Sequence, residues 1–332
     1  LYFGDDNSCV IRNSVAHEET GNIIMMQRAD ENRLMQWATY ASVMVAVSLV
    51  ALKSLVWLLS DSMAMLGSLT DSALDLAASL VTLIAVRTAI TPPDEEHRFG
   101  HGKAEALAGL FQAGIMSCSA AFLALNALER LWSPQYVEQP DLIMKVSVLA
   151  IALSFLLVGF QSYVVRKTGS LAVAGDHLHY KGDLLLNLGV ILAAFLAGQG
   201  LLLADGLIGA GIAVYILWGA YGIARPAINM LMDREFSSKD REAIFNLVLE
   251  NPDVLGMHDL KTRMAGRDQF IQMHIDVDGE LTVHQAHFIA GEVEATLSER
   301  FPRAEIMIHV DPPSEHSTSL TLAELSKKGD PV

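Results

Sequence analysis

Apolar positions along this chain come in six long runs, at about 36–59, 64–91, 103–132, 141–165, 172–198 and 203–229. Each is near the ~20 residues that cross ~30 Å of hydrocarbon as a helix. Pro92-Pro93 closes the second run and Ser133-Pro134 the third, while Gly198, Gly200 and Asp205 mark the turn from the fifth to the sixth. From about Arg234 the texture changes to that of a soluble domain. Ser237 or Ser238 can cap a helix to about Glu250, which Asn251-Pro252 stops. Residues 254–264 and 268–277 alternate as two strands around Ala265-Gly266-Arg267, Thr282 opens a helix to about Arg300, and Ala304–Val310 reads as a third strand. The expected fold class is a polytopic α-helical membrane protein with six transmembrane helices and a C-terminal α+β domain of order α-β-β-α-β. Its expected divisions are a flexible segment at 1–35, the membrane domain at 36–232, the polar domain at 233–312 and a disordered tail at 313–332.

Basic residues orient this arrangement. Arg28 and Arg33, Arg87, Arg98 and Lys103, Arg166 and Lys167, and Arg225 and Arg234 flank one side; Arg130, Lys145 and the end of the first span near Lys53 flank the other. The asymmetry places both termini and the polar domain in the cytoplasm. The first apolar run starts late and is long enough to span, so no cleavable signal peptide is expected, and Leu1-Tyr2-Phe3-Gly4 reads as a protease-site remnant. A composition of 52% hydrophobic and 18% charged residues, with mean hydropathy +0.34, is too apolar for an ordinary soluble domain. Cys9 and Cys118 cannot form a disulfide framework. Net charge is −15, with −8 from Arg234 onward and no basic stripe there, which argues against nucleic acid as a partner.

Against that background, Asp71 and Asp75 stand four residues apart inside one apolar run, and His179 and Asp183 repeat the spacing in another. Positions i and i+4 share a helix face. A carboxylate at the bilayer centre costs about 2.5–3.5 kcal/mol on insertion scales, so three carboxylates and a histidine in matched pairs require a compensating partner. Four N and O donors suit one tetrahedral divalent metal. A single intramembrane Asp would be read as a helix-packing hydrogen bond; two matched pairs favour a metal site. Asn187 extends the second face by a turn as a supporting donor, and His177 points elsewhere.

The stretches Ser68-Leu69-Thr70-Asp71-Ser72-Ala73-Leu74-Asp75, His179-Tyr180-Lys181-Gly182-Asp183 and His97-Arg98-Phe99-Gly100-His101-Gly102-Lys103-Ala104-Glu105 resemble the signatures of the cation diffusion facilitator family. The resemblance covers roughly residues 36–312. It implies a metallochaperone-like cytoplasmic domain and a homodimer of the bacterial inner membrane that exchanges cytoplasmic zinc for protons, with cadmium or iron as further substrates. It implies a second zinc site on Asp94, His97 and His101, which alone would read as a solvated connector. It carries His258, His274, His287, His309 and Asp311 into a two-metal cytoplasmic site in which Zn(II) is structural or regulatory. Val310 stands where a relative has glutamine, and His284 is extra. Lys103 and Asp233, otherwise headgroup-level charges, are implied to form salt bridges that lock the two protomers. Gly206, Ala210 and Ala213 would permit close helix approach in the last span.

Asp276-Val277-Asp278-Gly279-Glu280 begins like a calcium loop, but its twelfth position is His287, so a strand-to-helix turn is expected instead. Metal needs deprotonated ligands, so protons compete for the same side chains, with His179 the expected proton exchanger. The expectation is a proton-coupled divalent cation antiporter working by alternating access, not an enzyme. One rival is a membrane-bound metal sensor that binds zinc without transport. Another is an intramembrane metalloenzyme, weakened by the lack of His-Glu-x-x-His or a comparable base beside a ligand pair.

Overall fold

The computed structural model describes residues 7–60, 63–132, 141–199, 201 and 203–313. Six long helices come first: α1 (Asn7–Ser60), α2 (Met63–Ala89), α3 (Lys103–Trp132), α4 (Asp141–Thr168), α5 (Leu171–Gly198) and α6 (Ala204–Leu231). Among the described residues, five segments are apolar and long enough to cross a membrane: Met25–Leu59, Ser68–Ala89, Lys103–Trp132, Val148–Thr168 and Ala204–Leu231. α5 is 28 residues long and carries Asp176, Lys181 and Asp183 in its first half. Large apolar side chains such as Trp37, Leu58, Ile84, Phe122, Phe155, Phe195 and Trp218 lie exposed along these helices, as a lipid-facing surface requires.

The boundary expected at residue 36 is not where the helix begins. α1 is helical from Asn7, and Glu31 and Met35 are already buried, because Met35 and Ala38 pack with Val86, Ala108, Val164, Ala172 and Val173. The remnant read at residues 1–4 and all but the first residue of the tail at 313–332 lie outside the described residues. A second cluster joins α3, α5 and α6 through Ala113, Met116, Ala120, Leu178, Ile216, Ala220 and Ile223. Gly206 allows α6 to lie against α3: a Cβ there would stand 2.7 Å from Leu131 Cγ and 2.9 Å from the Ala127 carbonyl oxygen. The Arg130 guanidinium pairs with Asp205 beside this contact.

Residues 1–90 and 107–225 form one compact unit, and residues 91–106 with 226–332 form the other. In the second unit α7 (Ser238–Leu249) is capped by Ser237, whose side chain accepts from the Asp240 N–H. β1 (Gly256–Ala265) pairs antiparallel with β2 (Asp268–Asp276), and β2 pairs parallel with β3 (Ala304–Asp311). α8 (Val283–Arg300) starts in a capping box between Thr282 and Gln285 and buries Ile289, Val293 and Leu297. These join Phe236, Ile244, Val248, Met257, Ile271, Met273 and Ile275 in one core. The α-β-β-α-β order expected from the sequence is the order found.

Candidate metal centres

The helical unit brings α2 and α5 together at their polar faces. His179 Nε2 lies 2.9 Å from Asp75 Oδ1 and 3.6 Å from Asp183 Oδ2. One donor atom from each of Asp75, His179 and Asp183 lies within 4.8 Å of the others. Donors bound at about 2 Å to one ion stand at most about 4 Å apart, so modest closing movements would seat a cation. His179 is buried, and its other ring nitrogen is 3.2 Å from the Met116 sulfur. Asp71, expected as the fourth ligand, is exposed and outside this group. Asp71 shares a helix face with Asp75 and lies one turn before it. Asn187 donates to the Asp183 carbonyl oxygen, a bond within its own helix, rather than to a ligand side chain.

Lys53, read from sequence as a charge marking a span end, instead projects from α1 onto α2. Its ammonium donates to Ser72 Oγ at 2.7 Å and to the Ser68 carbonyl at 3.2 Å. A cation is thus held on the helix that presents Asp71 and Asp75. Asp176 also escaped the sequence reading. It is one turn before His179 and 1% exposed. Its distance of three residues from His179 was the available signal, obscured because its partners lie on other helices.

The loop between α2 and α3 gathers Asp94, His97 and His101, with donor atoms within 4.8 Å of one another. Asp94 lies 3.4 Å from His97 Nδ1 and 3.3 Å from His101 Nε2. The backbone N–H groups of His97 and then Glu96 donate to its carboxylate and hold it below the usual carboxylate range. His97 and Asp94 are exposed, whereas His101 is largely covered.

On the sheet, the pairing His258↔His274 and His274↔His309 aligns three imidazoles across β1, β2 and β3. Two overlapping donor groups result: His258 with Asp259 and His274, and His274 with His309 and Asp311. His274 Nδ1 lies 2.7 Å and His309 Nε2 3.1 Å from Asp311. The His274 contact chiefly holds the Asp311 carboxyl below its usual range. Imidazole and carboxylate donors in this arrangement fit Zn(II). The buried Asp276, 3.5 Å from His258 Nε2, and Asp259, at a register shift between His258 and Lys261, are additions that strand alternation did not show. Asp259 has φ 50°, which turns it out of the strand pattern. His287 departs from expectation: it is exposed on α8 and outside both groups, because α8 turns Ile289, Val293 and Leu297 toward the core. His284 lies with Asp253, Asp278 and Phe288 along a groove at the start of α8.

Lys103 donates to Asp233 at 2.8 Å within one chain, with Arg263 3.6 Å from the same oxygen. Burial pushes Asp233 up, but the two cations outweigh it and hold the carboxyl below its ordinary range.

The family description "Cation efflux transmembrane domain" matches residues 39–232, and "Cation efflux protein, cytoplasmic domain" matches residues 236–313. The chain is 42% identical over 280 residues to the cation-efflux pump FieF of Serratia proteamaculans, covering 84% of this chain and 93% of that protein. It is 42% identical over 283 residues to FieF of Cronobacter sakazakii, covering 85% and 94%. A solved structure of CzrB in its Zn form is 34% identical and covers 26% of this chain and 98% of that one, with TM-score 0.25. With both domains matched and similarity extending through nearly the whole length of these pumps, the chain belongs to the cation efflux (cation diffusion facilitator) family, whose members move divalent metal cations out across a membrane.

Proposed function

We propose that this protein exports a divalent cation from the bacterial cytoplasm across the inner membrane in exchange for protons. Zinc is the principal substrate, with cadmium and ferrous iron as further ones. The observation that carries this reading is the convergence of Asp75, His179 and Asp183 in a bundle of membrane-length helices. Two carboxylates and an imidazole offer hard and borderline donors that suit Zn(II). Anions at that depth are expensive without a counter-charge. A bound cation supplies it in one stage of the cycle, and protons supply it in the other.

Histidine's ordinary pKa is about 6.5, which gives His179 the proton-exchanging role near neutral pH. Open to the cytoplasm, the trio releases protons and accepts metal. Open to the far side, it takes protons and releases metal, so an inward proton gradient drives efflux. Both termini and the 233–312 domain lie in the cytoplasm in this scheme, and two copies assemble through that domain. Metal on His258, His274, His309 and Asp311 would tighten the assembly, and assembly would tighten metal binding to the same degree.

Zinc uptake into proteoliposomes under a pH gradient tests the reading. Uptake that requires the gradient and vanishes in Asp75→Ala supports it. Zinc binding without flux would instead make the chain a metal sensor, and uptake indifferent to the gradient would remove the proton exchange.

A further inference from the structure

Beside the metal trio lies a second polar cluster, to which none of its three donors belongs. Asp176 Oδ1 accepts from Ser79 Oγ at 3.2 Å, and Oδ2 accepts from Gln161 Nε2 at 2.7 Å. The same Gln161 nitrogen donates to Ser42 Oγ at 2.8 Å. Tyr180 donates its hydroxyl to the Ser42 carbonyl oxygen at 3.2 Å and stands 3.0 Å from Ser79 Oγ. These residues come from α1, α2, α4 and α5, all in the helical unit, and all five are buried.

A hydrogen-bonded carboxyl buried among apolar helices stabilises only one arrangement of its donors, because each lost donor leaves a polar group unsatisfied. The placement matters. Ser79 is one turn beyond Asp75 on α2, and Asp176 is one turn before His179 on α5. The bond between Ser79 and Asp176 therefore fixes the separation and rotation of the two helices one turn from the point where Asp75 meets His179. Gln161 extends the tie to α4 and, through Ser42, to α1. A metal site tolerates only about 0.5 Å of error in its donors, so a tie one turn away governs its affinity.

We propose that Asp176 is a positioning residue for the metal trio, holding the His179 face of α5 at ligating distance from Asp75 through Ser79 and Gln161. The inference rests on the reading of Asp75, His179 and Asp183 as the transport site. Asp176 touches no ion itself.

Zinc-dependent initial rates in proteoliposomes of the full chain test it, using Asp176→Asn, Asp176→Leu, Gln161→Leu, the double variant Asp176→Leu/Gln161→Leu and Asp75→Ala. Asp176→Leu is expected to raise half-saturating zinc about tenfold while the maximal rate per folded protein stays within about threefold. Asp176→Asn keeps an acceptor for Ser79 and, once the Gln161 amide turns over, a partner for α4, so it stays within about threefold of wild type. The double variant is expected to be no worse than about threefold beyond Asp176→Leu, because both changes cut one tie. A wild-type half-saturation in Asp176→Leu overturns the proposal. So does equal impairment of the Asn and Leu variants, which would assign the effect to charge. If Asp176→Leu does not fold, Ser79→Ala decides: raised half-saturating zinc at an unchanged maximal rate supports the tie, and no change overturns it. Normal transport by Asp75→Ala would overturn the transport-site reading instead, an outcome separable from the others.

Discussion

His179 on α5 and Asp75 on α2, 104 residues apart in the chain, place a ring nitrogen and a carboxylate oxygen 2.9 Å from each other. Asp183 completes the group, whereas Asp71 stands exposed outside it. The two aspartates of α2 should therefore differ. Asp75→Asn is expected to lower zinc transport at least about a hundredfold, the scale of losing a charged ligand worth about 3 kcal/mol, and Asp71→Asn by no more than about tenfold. Initial rates of zinc flux at matched protein density check the order, and equal losses would return Asp71 to the ligand set.

His274 belongs to both donor groups on the sheet, while His258 and His309 each belong to one and His287 to neither. Replacing His274 with Ala should thus remove more bound zinc than replacing His258 or His309. The His287→Ala chain should retain its zinc. Metal content after gel filtration reads this directly. Zinc loss from His287→Ala as large as from His274→Ala would contradict the geometry.

Much of this was visible along the chain, and the physical reason is periodicity. A four-residue interval fixes a helix face, so Asp75 on one helix and the His179–Asp183 pair on another could be chosen without coordinates. Thr282 at the start of a helix and the alternating strands similarly announced the C-terminal domain, and the structure adds Gln285 to complete a capping box. Periodicity does not say which helix a face will meet, or at what level. That is why Asp71 counted as an equal of Asp75, why Lys53 passed for an end-of-span charge, and why Asp176 went unread among apolar neighbours. His287 shows the same limit, since a histidine at the fifth position of the helix could face the sheet or turn away from it. The early helical residues of α1 are polar and non-periodic in sequence, so no helix is expected there.

Gly102 sits so near the β1–β2 turn that a Cβ on it would stand 2.2 Å from the Ala265 carbonyl oxygen. Gly266 on the other side has φ +65°, and a Cβ on it would stand 2.9 Å from Gly102 Cα. Gly102→Ala should destabilise this unit by about 1–3 kcal/mol, as overpacking does, and Ala gains nothing at this position just before α3. Thermal unfolding of the purified protein tests this, and an unchanged midpoint would show that the hairpin can yield.

Acidity should act on Asp233 in a defined direction. Its folded-state affinity for a proton is depressed by Lys103 and Arg263, so its stabilising contribution is complete above the ordinary aspartate pKa of about 3.9. That contribution fades as pH falls through the lower folded value. Because the pair is largely solvated, its worth is at most about 1 kcal/mol. A carboxyl-carbon NMR titration should place Asp233 below the usual aspartate range in the wild type and return it toward about 3.9 in Lys103→Met. A wild-type midpoint above that range would reverse the sign.

The segment Thr91–Ala106 groups with the soluble unit, although by sequence it is a connector between two membrane helices. The triad of Asp94, His97 and His101 therefore rides on the same body as the histidine-bearing sheet. α3 starts at Lys103 in that unit, and its residues from Leu107 onward belong to the helical unit. An ion held by the triad would add its binding free energy to the folding of that unit, so metal loading and the stability of the sheet would rise together.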